Sequence, residues 1–410
     1  MLKKRIKNKA IRIILYLLIG ILSIFILIFL ILYLAVPTYN FDEPKPFSGE
    51  ILHNPYQNMN PDNWKKYNFH AHSRQYGGLT NGRYSTPENI EKVYKAMGYD
   101  HYGISDYMHI NTYGSTEDGY IPTYEHGYGL LRKTHQLCIG AEKVNLIDYP
   151  FTQNLNIKQH NINSLAKNCK FPVIAHPVYT KGYKLDDMKY LSNYRLMEVM
   201  SPFGNSLEYW DMALSNGHRV YAICNDDSHN VDNPNEVGRN FTMINTPDLN
   251  PENVYKALGE GNAYGVDFHI YYNKPFELKV NQMKHLPYLT EAKLQGDTLI
   301  VKTSAHIEYA EFIGQDGKVL KTMKNVDSAF YVIQPEDTYV RTILHLPKLT
   351  KFYLNPITRQ QSEITVDKRL DSVNHIRTWL TRGIFIIAII LLIRTIIVKP
   401  KDENQNNEIQ

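Results

Sequence analysis

Apolar and polar positions along this chain fall into three patterns. The first is a continuous apolar run, Ile13–Val36, with no charged residue in it. A helix needs about 20 such residues to cross a hydrocarbon core, so this run predicts a transmembrane helix. A second apolar stretch, Gly383–Ile393, widens to Trp379–Val398 if Arg382 and Arg394 reach the two interfaces. It predicts a second span. Between the two lies a long region in which short apolar strands alternate with amphipathic stretches. Strands are expected at Lys66–His72, Asp100–Asp106, Gln136–Val144, Pro172–His176, Leu196–Met200, Arg219–Asp226 and Phe241–Asn245.

Helical spacing falls in the gaps. Glu88–Met97 has Thr86 as N-cap, Pro87 in the first turn and Gly98 past its end. Ile157–Asn168, Asp186–Asn193 and Leu207–Asn216 follow the same period, and Tyr124–Thr134 follows it more weakly. Pro251–Gly259 predicts a last helix packed outside. Such alternation implies parallel βα units. After Asp267 the pattern changes to short strands: Pro275–Val280, Glu291–Leu294, Thr298–Thr303, Tyr309–Ile313, Ala329–Ile333, Tyr339–Leu344 and Lys351–Leu354. Gly296-Asp297 and Asp316-Gly317 supply turns. This region predicts a small β-sandwich that caps the α/β part.

The expected order is a basic segment over 1–12, a transmembrane helix over 13–36 and an irregular linker over 37–63. An α/β barrel over 64–266 and a β-sandwich over 267–370 come next. A second transmembrane helix over 379–398 and a polar tail over 399–410 close it. The net charge of +4 belongs to the flanks. Residues 1–12 carry +6 and residues 377–410 carry +2, which leaves −4 for the rest. Double-stranded nucleic acid is therefore not an expected partner. Lys and Arg at both ends place both termini in the cytoplasm and the domain between them outside. A plasma (inner) membrane of bacterial type is the expected location. The three cysteines, Cys138, Cys169 and Cys224, form no C-x-x-C pattern and predict no disulfide.

The candidate chemistry sits on the strands. His70 and His72 are two residues apart, as are Asp227 and His229. On a strand such a pair points to one face and can aim two ligands at one ion. Imidazole with carboxylate suits divalent zinc, manganese or iron. Asp106, Glu142 and His176 each close a strand-like stretch, where a barrel gathers its active site. Pro177 fixes the chain just after His176.

This order of His-x-His, Ser-Asp, Gly-x-Glu, Ala-His-Pro and Asp-x-His resembles the PHP (polymerase and histidinol phosphatase) superfamily, from about Tyr67 to Thr246. Tyr339-Val340-Arg341 and Asn355-Pro356-Ile357 resemble the β-rich tail of its carbaryl-hydrolase-like branch. The resemblance implies a metal-dependent hydrolase on a distorted (β/α)7 barrel. It implies metal ligands at His70, His72, Asp106, Glu142, His176, Asp227 and His229, with Glu142 as the bridging carboxylate. Tyr107 stands where the family has a histidine after the motif acid. That departure favours one or two ions over three, with His109 as a loop substitute.

The chemistry then expected is hydrolysis by metal-bound hydroxide, with phosphate esters, soluble or on a lipid headgroup, as the leading substrates. His229 or His109 would protonate the leaving group. Arg239 would grip phosphate in bidentate fashion and Lys181 as a point charge. Two other readings remain open: a carbamate, ester or amide hydrolase on the same centre, and a non-catalytic, metal-stabilised binding module of the cell envelope. No phosphate-cradling glycine motif accompanies Gly77–Gly82.

Overall fold

The computed structural model describes residues 2–268, 274–362 and 370–397. They form two units, Met1–Asn40 with Ser372–Gln410, and Phe41–Asp371.

The terminal unit holds α1 (Leu2–Ala35). Its part Ile11–Ala35 has a mean hydropathy of 3.2 over its most apolar window, none of it buried. Among the described residues this is the helix whose length and apolar character suffice to cross a membrane. The expected second span lies on a helix, His375–Ile397, but its end at Val398 falls outside the described residues. Arg382 of that helix donates from Nε to Leu34 O (2.9 Å) and from Nη2 to Ala35 O (2.9 Å). A guanidinium thus satisfies carbonyls that the end of α1 leaves without helical partners.

In the main unit the chain passes through β1 (Tyr39–Phe41), β2 (Ile51–His53), β3 (Trp64–Asn68), α2 (Pro87–Ala96), β4 (His101–Tyr102), β5 (Thr123–His126) and β6 (Gln136–Ala141). It continues through α3 (Leu155–Leu165), β7 (Cys169–Ile174), β8 (Leu196–Ser201), β9 (Gly204–Asn205), α4 (Leu207–Ser215) and β10 (Tyr221–Cys224). Next come β11 (Asn240–Asn245), α5 (Pro251–Glu260), β12 (Ala263–Phe268), α6 (Phe276–Met283), β13 (Leu289–Gln295) and β14 (Thr298–Ile313). The remaining strands are β15 (Val319–Val332), β16 (Tyr339–Leu346), β17 (Thr350–Gln360) and β18 (Asp371–Val373), and α7 (His375–Ile397) follows in the terminal unit.

Local signals start the helices. Thr86 accepts from Asn89 N ahead of α2, Asn154 from Ile157 N ahead of α3, and Asn250 from Glu252 N ahead of α5. Gly261, at φ 76°, stops α5 in the left-handed conformation.

Two sheets build the unit. One is six-stranded, in the order β10-β8-β7-β6-β5, with β9 on β8. The other is ten-stranded, in the order β13-β14-β16-β17-β12-β11-β3-β4, with β15 on β14 and β2 on β17. They meet at single bridges, Ala71 with Ser228 and Tyr107 with Glu125. Tyr94, Phe241, Tyr264 and Phe352 belong to the largest core cluster, and Trp210, Met197 and Tyr353 to a second.

Several expectations change here. The fold is mixed α/β, but its strands are not parallel throughout. The β3/β4, β7/β8 and β8/β10 pairs are parallel. The β5/β6, β6/β7 and β3/β11 pairs are antiparallel. The strands beyond 267, β13 to β17, are hydrogen-bonded into the sheet that also holds β3, β4, β11 and β12. They continue it through the β12/β17 pairing. Tyr124–Thr134, expected as a helix, opens as strand β5, because Tyr124 and Glu125 are buried in a sheet rather than on a helix face. Pro275–Val280, expected as a strand, starts α6, with Pro275 at its N-cap. Thr298–Thr303 and Tyr309–Ile313 are one long strand with a register shift between Lys302 and Ile307.

Candidate metal centre

The site lies where the two sheets meet. Past β3 the chain carries His70 and His72; past β10 it carries Asp227. Crossed hydrogen bonds set these segments side by side. Phe69 N donates to Asn225 Oδ1 (2.8 Å), Asp226 N to Asn68 Oδ1 (2.9 Å), and His72 N to Ser228 O (2.8 Å). Asp226 itself faces away from the cluster. Its carboxylate accepts from the backbone N–H of Gly238 (2.6 Å), Arg239 (2.8 Å) and Asn240 (2.9 Å) and from Tyr94 Oη (3.0 Å). That bonding holds the backbone while Asp227, at φ 44°, turns into the cluster. His176 sits at φ 27°. Both are costly conformations for residues other than glycine, and the packed surroundings enforce them.

Four donors converge on one point. His70, His72, Glu125 and Asp227 each offer an atom within 4.8 Å of the others, and all four are buried. His70 Nε2 lies 3.4 Å from Glu125 Oε2 and 3.1 Å from Asp227 Oδ1. His72 Nε2 lies 3.1 Å and 3.2 Å from the same oxygens. Donors held about 2.0–2.2 Å from one ion stand roughly 3.0–3.5 Å apart, so these spacings are those of a shared ion. His70 Nε2 and Glu125 Oε2 are buried with no hydrogen-bond partner. Buried polar atoms rarely go unpaired, and here the unpaired lone pairs face one another. Glu125, His135 and His176 form an adjoining group. Glu125 Oε1 meets His135 Nδ1 and, at 3.1 Å, His176 Nε2. Glu125 is the carboxylate common to both groups.

Glu198 positions two of the ligands. Its Oε1 lies 3.2 Å from His70 Nδ1 and accepts from Asn225 Nδ2 (3.0 Å), while its Oε2 accepts from His176 N (3.0 Å). A carboxylate behind an imidazole fixes its tautomer and raises its basicity.

The electrostatics favour a bound cation. Burial pushes the His70 imidazole down, but the charges of Asp227, Glu125 and Glu198 reverse this and hold it well above its ordinary value. Burial likewise opposes His72, and bonding to Asp227 and Glu125 raises it to about 9. The Asp227 carboxyl, though penalised by burial, is held below the usual range by His70 and His72. Protons stand in for positive charge that these carboxylates demand.

The structure therefore brings together His70, His72, His176 and Asp227, and leaves other expected residues apart. Glu142 is exposed, and its N donates to Asn168 O. The cause is strand direction. β6 runs antiparallel to β7, with Gln136 opposite Ile174 and Ala141 opposite Cys169. The start of β6, beside His135, thus reaches the His176 end, and Glu142 is carried to the far end. Asp106 is buried but spent: it accepts from Ser73 N (2.7 Å), Ser73 Oγ (2.8 Å) and Asn111 Nδ2 (2.8 Å). It fixes the loop after His72.

His229 stacks on His72 with ring centroids 4.5 Å apart, outside the ligand groups. Its nitrogens meet Tyr107 Oη (3.0 Å) and Asp227 O (2.9 Å). Burial and the nearby His72 depress it to about 4. His109 and Lys181 are exposed. The Arg239 guanidinium donates to Asn235 O (3.4 Å). A cavity of about 910 Å³ holds Lys170, Arg195 and Arg219 at the amino ends of β7, β8 and β10, and no cluster residue lines it.

The sequence pattern does not single out Glu125, His135 or Glu198 as ligands. Glu198 had a signal, a lone carboxylate between Met197 and Val199 in an apolar strand. Glu125 lies inside the stretch Tyr124–Thr134 that reads as helix and His135 just past it, and the antiparallel β5/β6 pairing joins them.

No known protein family profile matches the chain, and no curated protein matches it. A solved structure does align: a two-domain protein containing a predicted PHP-like metal-dependent phosphoesterase from Bacteroides vulgatus ATCC 8482. It is 12% identical, with 82% of this chain and 99% of that chain covered and a TM-score of 0.38. The likeness is slight, and the functional reading rests on the donor set itself.

Proposed function

We propose that this chain is a metal-dependent hydrolase, acting on phosphate esters and held at a membrane by α1. The observation that carries the reading is the buried convergence of His70, His72, Glu125 and Asp227, in which His70 Nε2 and Glu125 Oε2 face each other without hydrogen-bond partners. These residues would hold one divalent zinc, manganese or iron ion, and Glu125, His135 and His176 a second. A cation bound there would supply Lewis acidity toward a phosphoryl oxygen and acidify a coordinated water.

The chain's own residues do the rest. Glu125 spans the two groups and fixes their separation. Glu198 and Asp226 hold the ligand-bearing segments rigid. Burial and the charges of Glu125 and Asp227 keep the Tyr107 phenol protonated. Its hydroxyl, beside His229, is placed to donate a hydrogen bond at the edge of the cluster. Tyr179 and Phe203, 4.7 Å apart by ring centroid, wall the same edge next to His176 and His229. The second apolar stretch, 379–398, would return the chain to the cytoplasm and leave the hydrolase outside.

The test is turnover of p-nitrophenyl phosphate, bis-p-nitrophenyl phosphate and p-nitrophenyl acetate by wild type and by His70→Ala. Phosphate-ester turnover that vanishes in the variant supports the reading. Turnover of the acetate alone would move it to carboxyl esters. A metal-loaded chain inactive on all three would count against hydrolysis.

A further inference from the structure

Beside the metal cluster lies an apolar surface that the hydrolysis reading does not use. Leu130 and Leu131 are 68% and 66% exposed, and Leu146 and Ile147 are 64% and 56% exposed. Tyr128 and Phe151 are also exposed. These side chains come from two loops tied into one surface. Leu130 N donates to Pro150 O (3.1 Å), Tyr128 N to Asp148 Oδ2 (2.7 Å), and Ile147 O meets His126 Nε2 (3.0 Å).

The surface adjoins the site directly. Glu125 precedes the first loop and His135 follows it. Gly129, at φ 46°, packs so close that an added Cβ would lie 2.9 Å from His135 Nε2. Cations border the apolar tip. Arg132 follows Leu131 and donates to Lys181 O (3.4 Å), and Lys133 N donates to Thr180 Oγ1 (2.7 Å). The one acid in the second loop, Asp148, is buried beneath, bonded to Tyr128 N, Gln153 and Asn161.

Bulky apolar side chains projecting from a polar rim mark an interaction surface. Exposed leucines flanked by arginine and lysine fit the acyl–headgroup boundary of an anionic bilayer, where apolar groups enter and cations meet phosphate. We infer that the Tyr128–Lys133 and Leu146–Phe151 loops dock on an anionic lipid surface, which places the mouth of the metal site against headgroups. The inference does not depend on which bond is hydrolysed. Charge complementarity selects the occupant, and the same chain carries the apolar helix Ile11–Ala35.

The test uses the full chain in nanodiscs with brominated acyl chains, of phosphatidylcholine alone or mixed with phosphatidylglycerol. A Leu131→Trp variant is read against wild type, whose native tryptophans give the background. Metal content equal to wild type shows that the variant has folded. In anionic discs the added indole should shift to the blue and lose emission. A Val319→Trp control, exposed on β15, should do neither. Adding Arg132→Glu and Lys133→Glu should return the indole to water. An indole that stays in water in both lipids overturns the proposal. So does quenching of equal depth in both. A shift that requires two copies per disc would overturn it too, by giving the surface to a second copy of this chain.

Discussion

Asp211 and Arg341, between α4 and β16, form a buried bidentate charge pair. Arg341 Nε donates to Asp211 Oδ1 (2.6 Å) and Nη2 to Oδ2 (2.7 Å), and Tyr339 Oη adds a third bond (3.2 Å). Glu125 and Asp227 are buried as deeply and, among the described residues, pair with no Lys or Arg. They face the imidazoles of His70 and His72, which hold protons only where no metal ion is bound. Burial of charge is common to both places, but at Asp211 both carboxylate oxygens are bonded and Arg341 Nη1 alone stays unpaired, whereas in the cluster Glu125 Oε2 and His70 Nε2 stay unpaired and face each other. A bidentate ion pair holds two elements in register, whereas an open donor set asks for an ion.

The sharpest way to break this contrast is Glu125→Gln, which keeps the shape and removes the charge common to both ligand groups. Turnover of phosphate ester should fall roughly 10³-fold, the rate equivalent of several kcal/mol, while circular dichroism stays unchanged. Arg341→Met should do the reverse. It leaves Asp211 buried without its partner and should cost about 3 kcal/mol in denaturant unfolding, with metal content and turnover per folded molecule intact. If Arg341→Met stripped the metal, the two regions would not be separate devices.

Asp226→Asn probes what holds the cluster. One amide oxygen cannot replace a carboxylate that accepts three backbone N–H bonds. Metal affinity should drop about 10–100-fold, measured by competition with a chelating dye.

pH separates the two regions again. His72 is raised from its ordinary 6.5 to about 9 in the metal-free protein. Its contribution to metal-free stability is therefore full below 6.5 and lost as pH rises through about 9. Metal must displace that proton, so affinity should climb with pH over the same window and level off above it. Thermal midpoints with and without chelator should diverge from pH 6.5 to 9; parallel curves would refute the linkage. The smallest effect is expected at Glu142→Ala. It removes an exposed side chain and should change stability by less than about 0.5 kcal/mol, with full metal content.

Part of this site was legible in the chain because its chemistry is local. His70 and His72 are marked by their i, i+2 spacing, Asp227 by its place in Asp-x-His, although His229 stays outside the ligand groups, and His176 by Pro177. Those signals say which residue types stand at strand exits. They do not say which way the next strand runs. Glu142 sits in the right residue pattern on a strand whose direction takes it away, and Glu125 with His135 replaces it through the β5/β6/β7 register. Asp106 illustrates a second limit. Its sequence context suits a ligand, but Ser73 and Asn111 have consumed its oxygens. Likewise the strands after β12 alternate as a sandwich would. Only their pairing, β12 on β17, shows one continuous sheet.

The central claim is that the metal centre is built on Glu125 and not on Glu142. Elemental analysis of purified wild type, Glu125→Gln and Glu142→Gln tests it most directly. Bound transition metal is expected in wild type and Glu142→Gln, and its loss in Glu125→Gln. Metal retained in Glu125→Gln but lost in Glu142→Gln would contradict the claim, and so would a wild-type protein that binds none after reconstitution.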